Sequence, residues 1–373
     1  MSRRRFVQLA GAAALLGRAS AAPRGYGADA YEHAMVIDAL GGPGDNDPGA
    51  PENAPLSAHA VADARASGVT AANLTVNAVG NGLHRFEETV AGIARADLEI
   101  QRHPEAFAKV LTGADLRLAK STRRLGLIYG FQDTSMLEGD LGRLALFQGL
   151  GVRIVQPTYN RRNLMGDGCI EPGDAGLSGL GHELVAELNS RRMLLDLSHG
   201  GPRTIAEGIA ASKVPMAITH TGCRALVDSP RNVDDATLRA LADKGGVVGI
   251  YFMCFLRLLE QPHAQDLIRH LEHAVDVCGE DHVGLGTDGS ISAIDLNDAF
   301  KAAHRKVVEE RIKQGVSAVG ESPVVYNLIP EYNDPRRFLS LARDLSARGW
   351  PSSRIDKILG ANFARLFTDT WGS

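Results

Sequence analysis

The chain has 373 residues, enough for one large domain or two small ones, and hydrophobic residues make up 44% of it, which suffices for a sizeable core. The formal net charge is only -4, aromatic residues make up 5%, and no basic stretch is interleaved with aromatic residues. These features argue against a nucleic-acid-binding protein.

The N-terminus has the pattern of an export signal. Arginines at positions 3–5 precede an apolar run that ends at Leu16, and the small residues 19–21 follow as a cleavage pattern. The run is too short to span a membrane. Twin arginines followed by Phe6 resemble the twin-arginine export signal, with an ordinary secretory signal as the alternative. We therefore predict a signal peptide over 1–22, a single domain over 23–373, and a periplasmic or secreted protein.

Eight short apolar runs recur along the rest of the chain. They cover residues 35–38, 69–76, 125–131, 152–157, 193–198, 215–219, 246–252 and 283–287. Each run is continuously apolar rather than alternating, which is typical of strands buried on both faces. Amphipathic stretches such as 234–244 and 266–278 lie between runs and predict helices. Eight strands alternating with helices predict an α/β fold, the closed (β/α)8 TIM barrel.

An open doubly wound sheet is the alternative fold, and it would normally show a phosphate-binding glycine turn after an early strand. The glycine-rich segment 41–44 follows the first run, but it lacks the GxGxxG spacing, and Pro43 offers no N–H donor. A Gly- and Asp-rich segment over 161–179 instead predicts a loop over a barrel mouth, and 351–367 predicts a closing helix.

A barrel of this kind carries its chemistry at the C-terminal ends of its strands. The residues that end the eight runs are Asp38, Asn77, Gln132, Tyr159 with Asn160, His199, His220, Phe252 and Asp288. A lone histidine in an apolar run is more often structural. Two histidines on successive strands, together with an aspartate, predict a metal site, because imidazole and carboxylate groups are good zinc ligands.

Several segments, in the right order over roughly 34–367, resemble the membrane (renal) dipeptidase family. Residues 194–199 read LLDLSH and resemble the family's DLSH strand, and residues 282–288 read HVGLGTD and resemble its VGxGxDFDG strand. The stretch from His220 to Asn232 resembles the family's SHS-NAR-AL-HPRN pattern. Shorter resemblances occur at 176–181, 245–250 and 359–362.

The resemblance implies a metal-dependent hydrolase of the amidohydrolase type, with two zinc ions and a metal-activated water that cleaves dipeptides. It implies that His199 and His220 hold one zinc ion. Asp288 would be a ligand or a proton carrier beside the water. Arg231 would bind the substrate carboxylate, a role suited to a planar guanidinium, although a loop-anchoring salt bridge is the alternative.

The chain departs from the family pattern at the other metal. Leu40 and Gly42 stand where the family has its first-strand histidine and aspartate ligands, and Gln132 replaces the bridging glutamate as a weak fourth ligand at best. Tyr159 replaces a family histidine but can still donate to an oxyanion. We therefore predict about one Zn²⁺ per chain, with Tyr159 catalytic beside Asp288 and with Asn160 and Tyr159 in contact with substrate.

Three functions remain open from the sequence. The first is metal-dependent hydrolysis of dipeptides or similar small amides. The second is altered chemistry on a small exported metabolite, and the third is non-catalytic binding of a small peptide-like ligand. A homodimer is the default expectation, since family members often pair. No lipid-anchor pattern marks the C-terminus, so no stable membrane anchor is expected.

Overall fold

The computed structural model describes residues 25–47, 51, 54–80 and 82–373. The predicted signal peptide over 1–22 lies outside these residues and stays a prediction. Within the part of the chain that is described, no helix has both the length and the apolar character needed to cross a membrane.

Eight of the eleven strands in the described part of the chain overlap the eight apolar runs, and the three others are short additional pairings. In chain order the strands are β1 (Ile37–Asp38), β2 (Gly41–Gly42), β3 (Ala71–Thr75), β4 (Phe107–Lys109), β5 (Leu125–Phe131), β6 (Val152–Val155), β7 (Leu194–Leu195), β8 (Ala217–Thr221), β9 (Val247–Ile250), β10 (Val283–Leu285) and β11 (Gly289–Ser290). Neighbours pair in parallel in the order β1-β3-β5-β6-β7 and β8-β9-β10, while β4 pairs with β5 and β2 with β11.

Two contacts join these sheets into a ring. A parallel bridge between Asp196 and Ala217 links the end of β7 to β8. Where β10 meets β1, the Ala39 amide donates to the Leu285 carbonyl at 2.9 Å. The predicted barrel is therefore confirmed, and the C-terminal ends of its strands share one mouth.

Helices separate most of the strands and cover the outside of the ring. They are α1 (Ala28–His33), α2 (Ala58–Ala66), α3 (Arg85–Arg102), α4 (Gly113–Thr122), α5 (Arg143–Gly149), α6 (Gly179–Arg191), α7 (Pro202–Ala211), α8 (Asp235–Asp243), α9 (Ala264–Cys278), α10 (Asp298–Lys313), α11 (Arg337–Ala347), α12 (Ser352–Asp356) and α13 (Asn362–Trp371). The predicted helices 234–244 and 266–278 correspond to α8 and α9. Asp234 caps α8 by accepting from the Thr237 amide at 2.8 Å.

Helix α13 shares one apolar cluster with the strand interior. Phe363 and Phe367 of this helix are fully buried in contact with a set of strand residues that includes Ile37 and Ile128. A Cβ atom on Gly284 would lie 2.6 Å from the Phe363 ring, so glycine there permits the close packing of helix and strand. The predicted closing helix 351–367 is thus two helices, α12 and α13, which are separated at Gly360.

Glycines also let the strands approach each other beside β8. A Cβ atom on Gly249 or Gly286 would lie 2.0 or 2.1 Å from the Thr219 carbonyl oxygen, a distance that no real Cβ contact tolerates. Glycine at both positions therefore fixes the backbone at Thr219, the residue before His220, against β9 and the end of β10.

Candidate active site

His199 lies after β7 and His220 lies in β8, and the barrel brings their imidazole rings together. The ring centroids are 4.9 Å apart, with 59° between the planes. Both side chains are buried, and the Nε2 atom of each lacks a hydrogen-bond partner among the described residues. Buried polar atoms are normally satisfied, so this pair is available to a ligand.

Hydrogen bonds at Nδ1 set the tautomer of both rings. Asn160 Oδ1 lies 2.5 Å from His199 Nδ1, and the Asn160 Nδ2 group donates to the Val316 carbonyl, which orients the amide. Thr219 Oγ1 donates to Asp196 at 2.6 Å and therefore accepts from His220 Nδ1 at 2.9 Å. Each Nε2 atom is thereby left with its lone pair, the form that binds a metal ion.

The electrostatic surroundings keep both rings neutral. Burial lowers the pKa of His199 and of His220 well below 6.5, and the nearby positive charge of Arg231 lowers both pKa values further. Neutral imidazole is the protonation state of a metal ligand.

Few side chains in this region can serve as metal ligands. Within the described ranges, no three side chains of His, Cys, Asp or Glu are grouped so that they could hold a metal ion. The unpartnered Nε2 atoms of His199 and His220 fit two positions of such an ion. Asp288 is not grouped with them as a third ligand, so the predicted ligand set stays a prediction.

Gln132 is engaged elsewhere. Its Nε2 group donates to Thr75 Oγ1 at 2.8 Å, and its backbone amide donates to Asn77 Oδ1 at 2.9 Å. The residue does not line the pocket beside His199. The predicted role of Gln132 as a weak fourth ligand gains no support from this geometry.

A pocket of about 270 Å³ opens beside His199. Its lining residues are Tyr159, Asn160, His199, Arg231, Met253, Phe255, Asp288, His304, Val307, Val308, Arg311, Glu321, Ser322, Val325 and Asn327. Five predicted site residues, from four different strand ends or loops, thus meet in one cavity.

Arg231 is buried in this pocket with one guanidinium nitrogen, Nη2, that has no partner in the described part of the chain. The guanidinium carbon lies 5.9 Å from the centre of the Tyr251 ring and 6.0 Å from that of Phe255. These aromatic neighbours hold the cation without neutralising it. Among the described residues Arg231 has no ion pair within 4 Å, so its role in binding a carboxylate stays a prediction.

Asp288 lies within the electrostatic reach of two arginines. Burial raises its pKa to about 6, and the charges of Arg231 and Arg311 act in the opposite direction. A carboxyl group with a pKa near neutrality can both take up and give up a proton during turnover. Asp288 and His199 also have positive φ angles, 55° and 63°, an uncommon conformation that is enriched at functional sites.

Tyr159 stacks on His199, with ring centroids 4.2 Å apart and 26° between the planes. Its hydroxyl group faces the Arg311 guanidinium, whose positive charge opposes the rise in the Tyr159 pKa that burial causes. Because a guanidinium can only donate, a hydrogen bond between the two groups would use the Tyr159 oxygen as the acceptor and leave the phenolic hydrogen free to donate. Asn160 lines the same pocket, but both ends of its amide bind protein groups, so it positions His199.

Helix α10 supplies pocket residues that the sequence analysis missed. His304, Val307, Val308 and Arg311 lie on its face toward the pocket. Arg311 is held in a two-point ion pair with Glu321, at 2.7 and 2.9 Å. The available signal was Asn297, which caps this helix by accepting from the Phe300 amide. It is followed by a 16-residue helix with pocket residues at helical spacing.

Comparison with known proteins places this geometry in context. A sequence profile described as Membrane dipeptidase (Peptidase family M19) matches residues 55–320. An amidohydrolase from Pseudomonas aeruginosa has a solved structure that is 32% identical, with a TM-score of 0.78 over 93% of this chain and 99% of that one.

Two further relatives have more distant sequences. A metallo peptidase from Rhodobacter sphaeroides, solved with a phosphinate mimic of the dipeptide L-Ala-D-Ala, has a TM-score of 0.73 at 19% identity and covers 91% of this chain and 99% of that one. This likeness shows the fold alone. Dipeptidase verJ from Clonostachys rogersoniana is 29% identical over 223 residues, 58% of this chain and 57% of that protein. The match thus spans little more than half of that relative's length.

Proposed function

The chain belongs to the membrane dipeptidase family, and from this premise we propose that it is a metal-dependent hydrolase of dipeptides or similar small amides. The observation that carries the proposal is the placement of two neutral histidines with unpartnered Nε2 atoms beside a buried arginine with an unpartnered nitrogen. The names of the relatives, an amidohydrolase and a dipeptidase, favour hydrolysis over the non-catalytic binding considered from the sequence.

The family implies a metal cofactor, and we propose Zn²⁺ at about one ion per chain. His199 and His220 would hold it through their Nε2 atoms. When bound, the ion would supply Lewis-acid chemistry, which polarises a carbonyl oxygen and makes water more acidic. Leu40 and Gly42, which follow β1 where the family has its first-strand ligands, offer no ligand for a second ion.

The remaining roles belong to side chains of the pocket. Arg231 binds the substrate carboxylate with its unpartnered nitrogen. The free phenolic hydrogen of Tyr159 donates to the scissile carbonyl oxygen as negative charge develops on that atom. Asp288, with a pKa of about 6, carries a proton to the leaving nitrogen. Arg311, whose charge faces the Tyr159 oxygen, helps to position the phenol.

The test is metal content and turnover in the protein purified without chelator or added metal. We expect about one zinc ion per chain, and His199→Ala should lose both the metal and the hydrolysis of a dipeptide panel. His182→Ala is the matched control, since its side chain is 50% exposed on α6 and away from the pocket. Full activity in His199→Ala, or absence of zinc after zinc is offered, would overturn the proposal.

Location and assembly stay predictions. The signal pattern over 1–22 supports export to the periplasm or the medium, and a homodimer remains the default expectation.

A further inference from the structure

One wall of the pocket is apolar. Its side chains are Met253, Phe255, Val307, Val308 and Val325. Phe255 and Val308 are buried, whereas Val307 is 57% exposed on α10 at the rim. This wall faces the same cavity as His199 and Arg231, so a ligand bound by the polar groups would contact it.

Two carboxylates line the pocket within the described residues, Asp288 and Glu321. Both oxygens of Glu321 accept from Arg311, and its Oε1 atom also accepts from the Ala318 amide at 3.0 Å. Asp288 faces the charges of Arg231 and Arg311. A cation of the substrate would therefore have to compete with an arginine for either carboxylate.

The neighbouring strand end offers no substitute. The Asp288 amide donates to the Leu40 carbonyl at 2.8 Å, so the end of β1 lies directly beside Asp288. Leu40 is apolar and buried, and Gly42 has no side chain. A dipeptide with a free N-terminus carries an ammonium group near neutral pH, and burying such a group without a partner is costly.

We propose that the preferred substrates are N-acylated amino acids, in which a free carboxylate is bound by Arg231 and an apolar acyl group lies against the Met253–Phe255–Val307 wall. This inference rests on the proposed hydrolase function. It narrows that function from dipeptides and small amides in general to amides that have an anionic and an apolar end.

The reaction is a simple hydrolysis. Water adds across the amide bond, so the acyl carbon gains the hydroxyl group and the nitrogen gains the hydrogen. The products are a carboxylic acid and a free amino acid, and no oxidant, reductant or further reactant is needed.

The experiment compares N-butanoyl-alanine with alanyl-alanine, each with L- and D-alanine at the C-terminus, on the zinc-loaded protein. We expect kcat/KM to be at least about tenfold higher for the N-acyl compound, since the ammonium of the dipeptide meets carboxylates that already face arginines and an apolar wall. Equal or faster hydrolysis of alanyl-alanine would overturn this inference and leave the hydrolase function intact. Hydrolysis of neither compound, nor of any member of the dipeptide panel, would overturn both.

A pair of variants on α10 tests the apolar wall itself. Val307→Glu adds a carboxylate at the pocket rim and should reduce the preference for the N-acyl substrate by roughly tenfold. Ile312→Glu makes the same charge change on the same helix, at a side chain that is 53% exposed and does not line the pocket, and should leave the preference unchanged. An unchanged preference in Val307→Glu, or equal shifts in both variants, would overturn the assignment.

Discussion

At the ends of β7 and β8, His199 and His220 each keep a ring nitrogen without a partner among the described residues, whereas across the barrel the side chains of Asp38 and Gln132, in β1 and after β5, are bonded to protein groups. Asp38 accepts from the Thr287 amide at 2.7 Å and from its hydroxyl at 2.6 Å. Gln132 donates to Thr75. We call these two regions the histidine side and the first-strand side of the mouth.

The difference shows where a ligand is expected. An unpartnered buried polar atom costs free energy unless something outside the chain satisfies it, so the histidine side is prepared for a bound group. On the first-strand side, hydrogen bonds within the chain already hold the side chains of Asp38 and Gln132, and Leu40 and Gly42 add no polar side chain. We therefore expect the bound group on the histidine side of the mouth.

The largest expected effect is a change in stability when Asp38, on the first-strand side, is replaced. Burial raises the pKa of this carboxyl to about 7, against the hydrogen bonds from Thr287, so between about pH 4 and pH 7 the folded protein keeps a proton that the unfolded chain releases. Its free energy of unfolding therefore falls as pH rises through this window. In Asp38→Asn this decrease in the free energy of unfolding should be smaller by up to roughly 4 kcal/mol. The figure comes from the difference of about three between the folded and unfolded pKa values, at 1.36 kcal/mol for each pKa unit.

Denaturant unfolding of the two proteins at several pH values between 4 and 8 measures this difference. Zinc content should be equal in both, because Asp38 lies on the first-strand side. Parallel stability curves would show that Asp38 is ionised throughout, and loss of zinc in the variant would mean that the two sides are not separate.

The next largest expected effect is a loss of zinc affinity when the residue that orients His199 is replaced. Asn160→Ala removes the acceptor for His199 Nδ1, so the ring is free to rotate and to change tautomer. We expect zinc affinity to fall by about 10–100-fold, as is usual when the group that orients a metal-binding histidine is lost. Competition with a chromogenic chelator measures the affinity.

Asn163→Ala is the control for that variant. Asn163 also lies in the loop after β6 and bonds two backbone groups, the Pro157 carbonyl and the Met165 amide, but it makes no contact with a histidine. An equal loss of affinity in both variants would assign the effect to the loop as a whole instead of the Asn160–His199 bond.

The barrel was predictable from the sequence because its strands are buried on both faces. Runs such as 125–131 are continuously apolar for that reason, and β5 occupies the same residues. Helix α10 was not predictable in the same way. Only Val308 of this helix is buried, so no strong apolar stripe marks it, and its role depends on a tertiary contact with the mouth.

The sequence could predict those candidate site residues that lie at the C-terminal ends of strands. His199, His220 and Asp288 were predicted as ligands because side chains at those ends converge, and the assignment of Asp288 as a ligand stays a prediction. The partners that decide their chemistry come from distant loops, and sequence spacing does not report such contacts. Arg311 lies beside Tyr159, 152 positions away along the chain, while Glu321 binds its guanidinium. Asn160, from the loop after β6, bonds to the ring of His199.

The smallest expected effect is a change in substrate binding on the histidine side when Arg231 is replaced by lysine. Arg231→Lys keeps a positive charge but loses the planar fork and the contact with the Tyr251 and Phe255 rings. For substrates with a free carboxylate we expect KM to rise about tenfold with little change in kcat, since the carboxylate is bound equally in the ground and transition states. Substrates whose carboxylate is converted to an amide should be hydrolysed slowly by both proteins and at similar rates. An equal loss on the amidated substrates would mean that Arg231 supports the pocket as a whole, through its aromatic neighbours, and that the carboxylate is bound by another group.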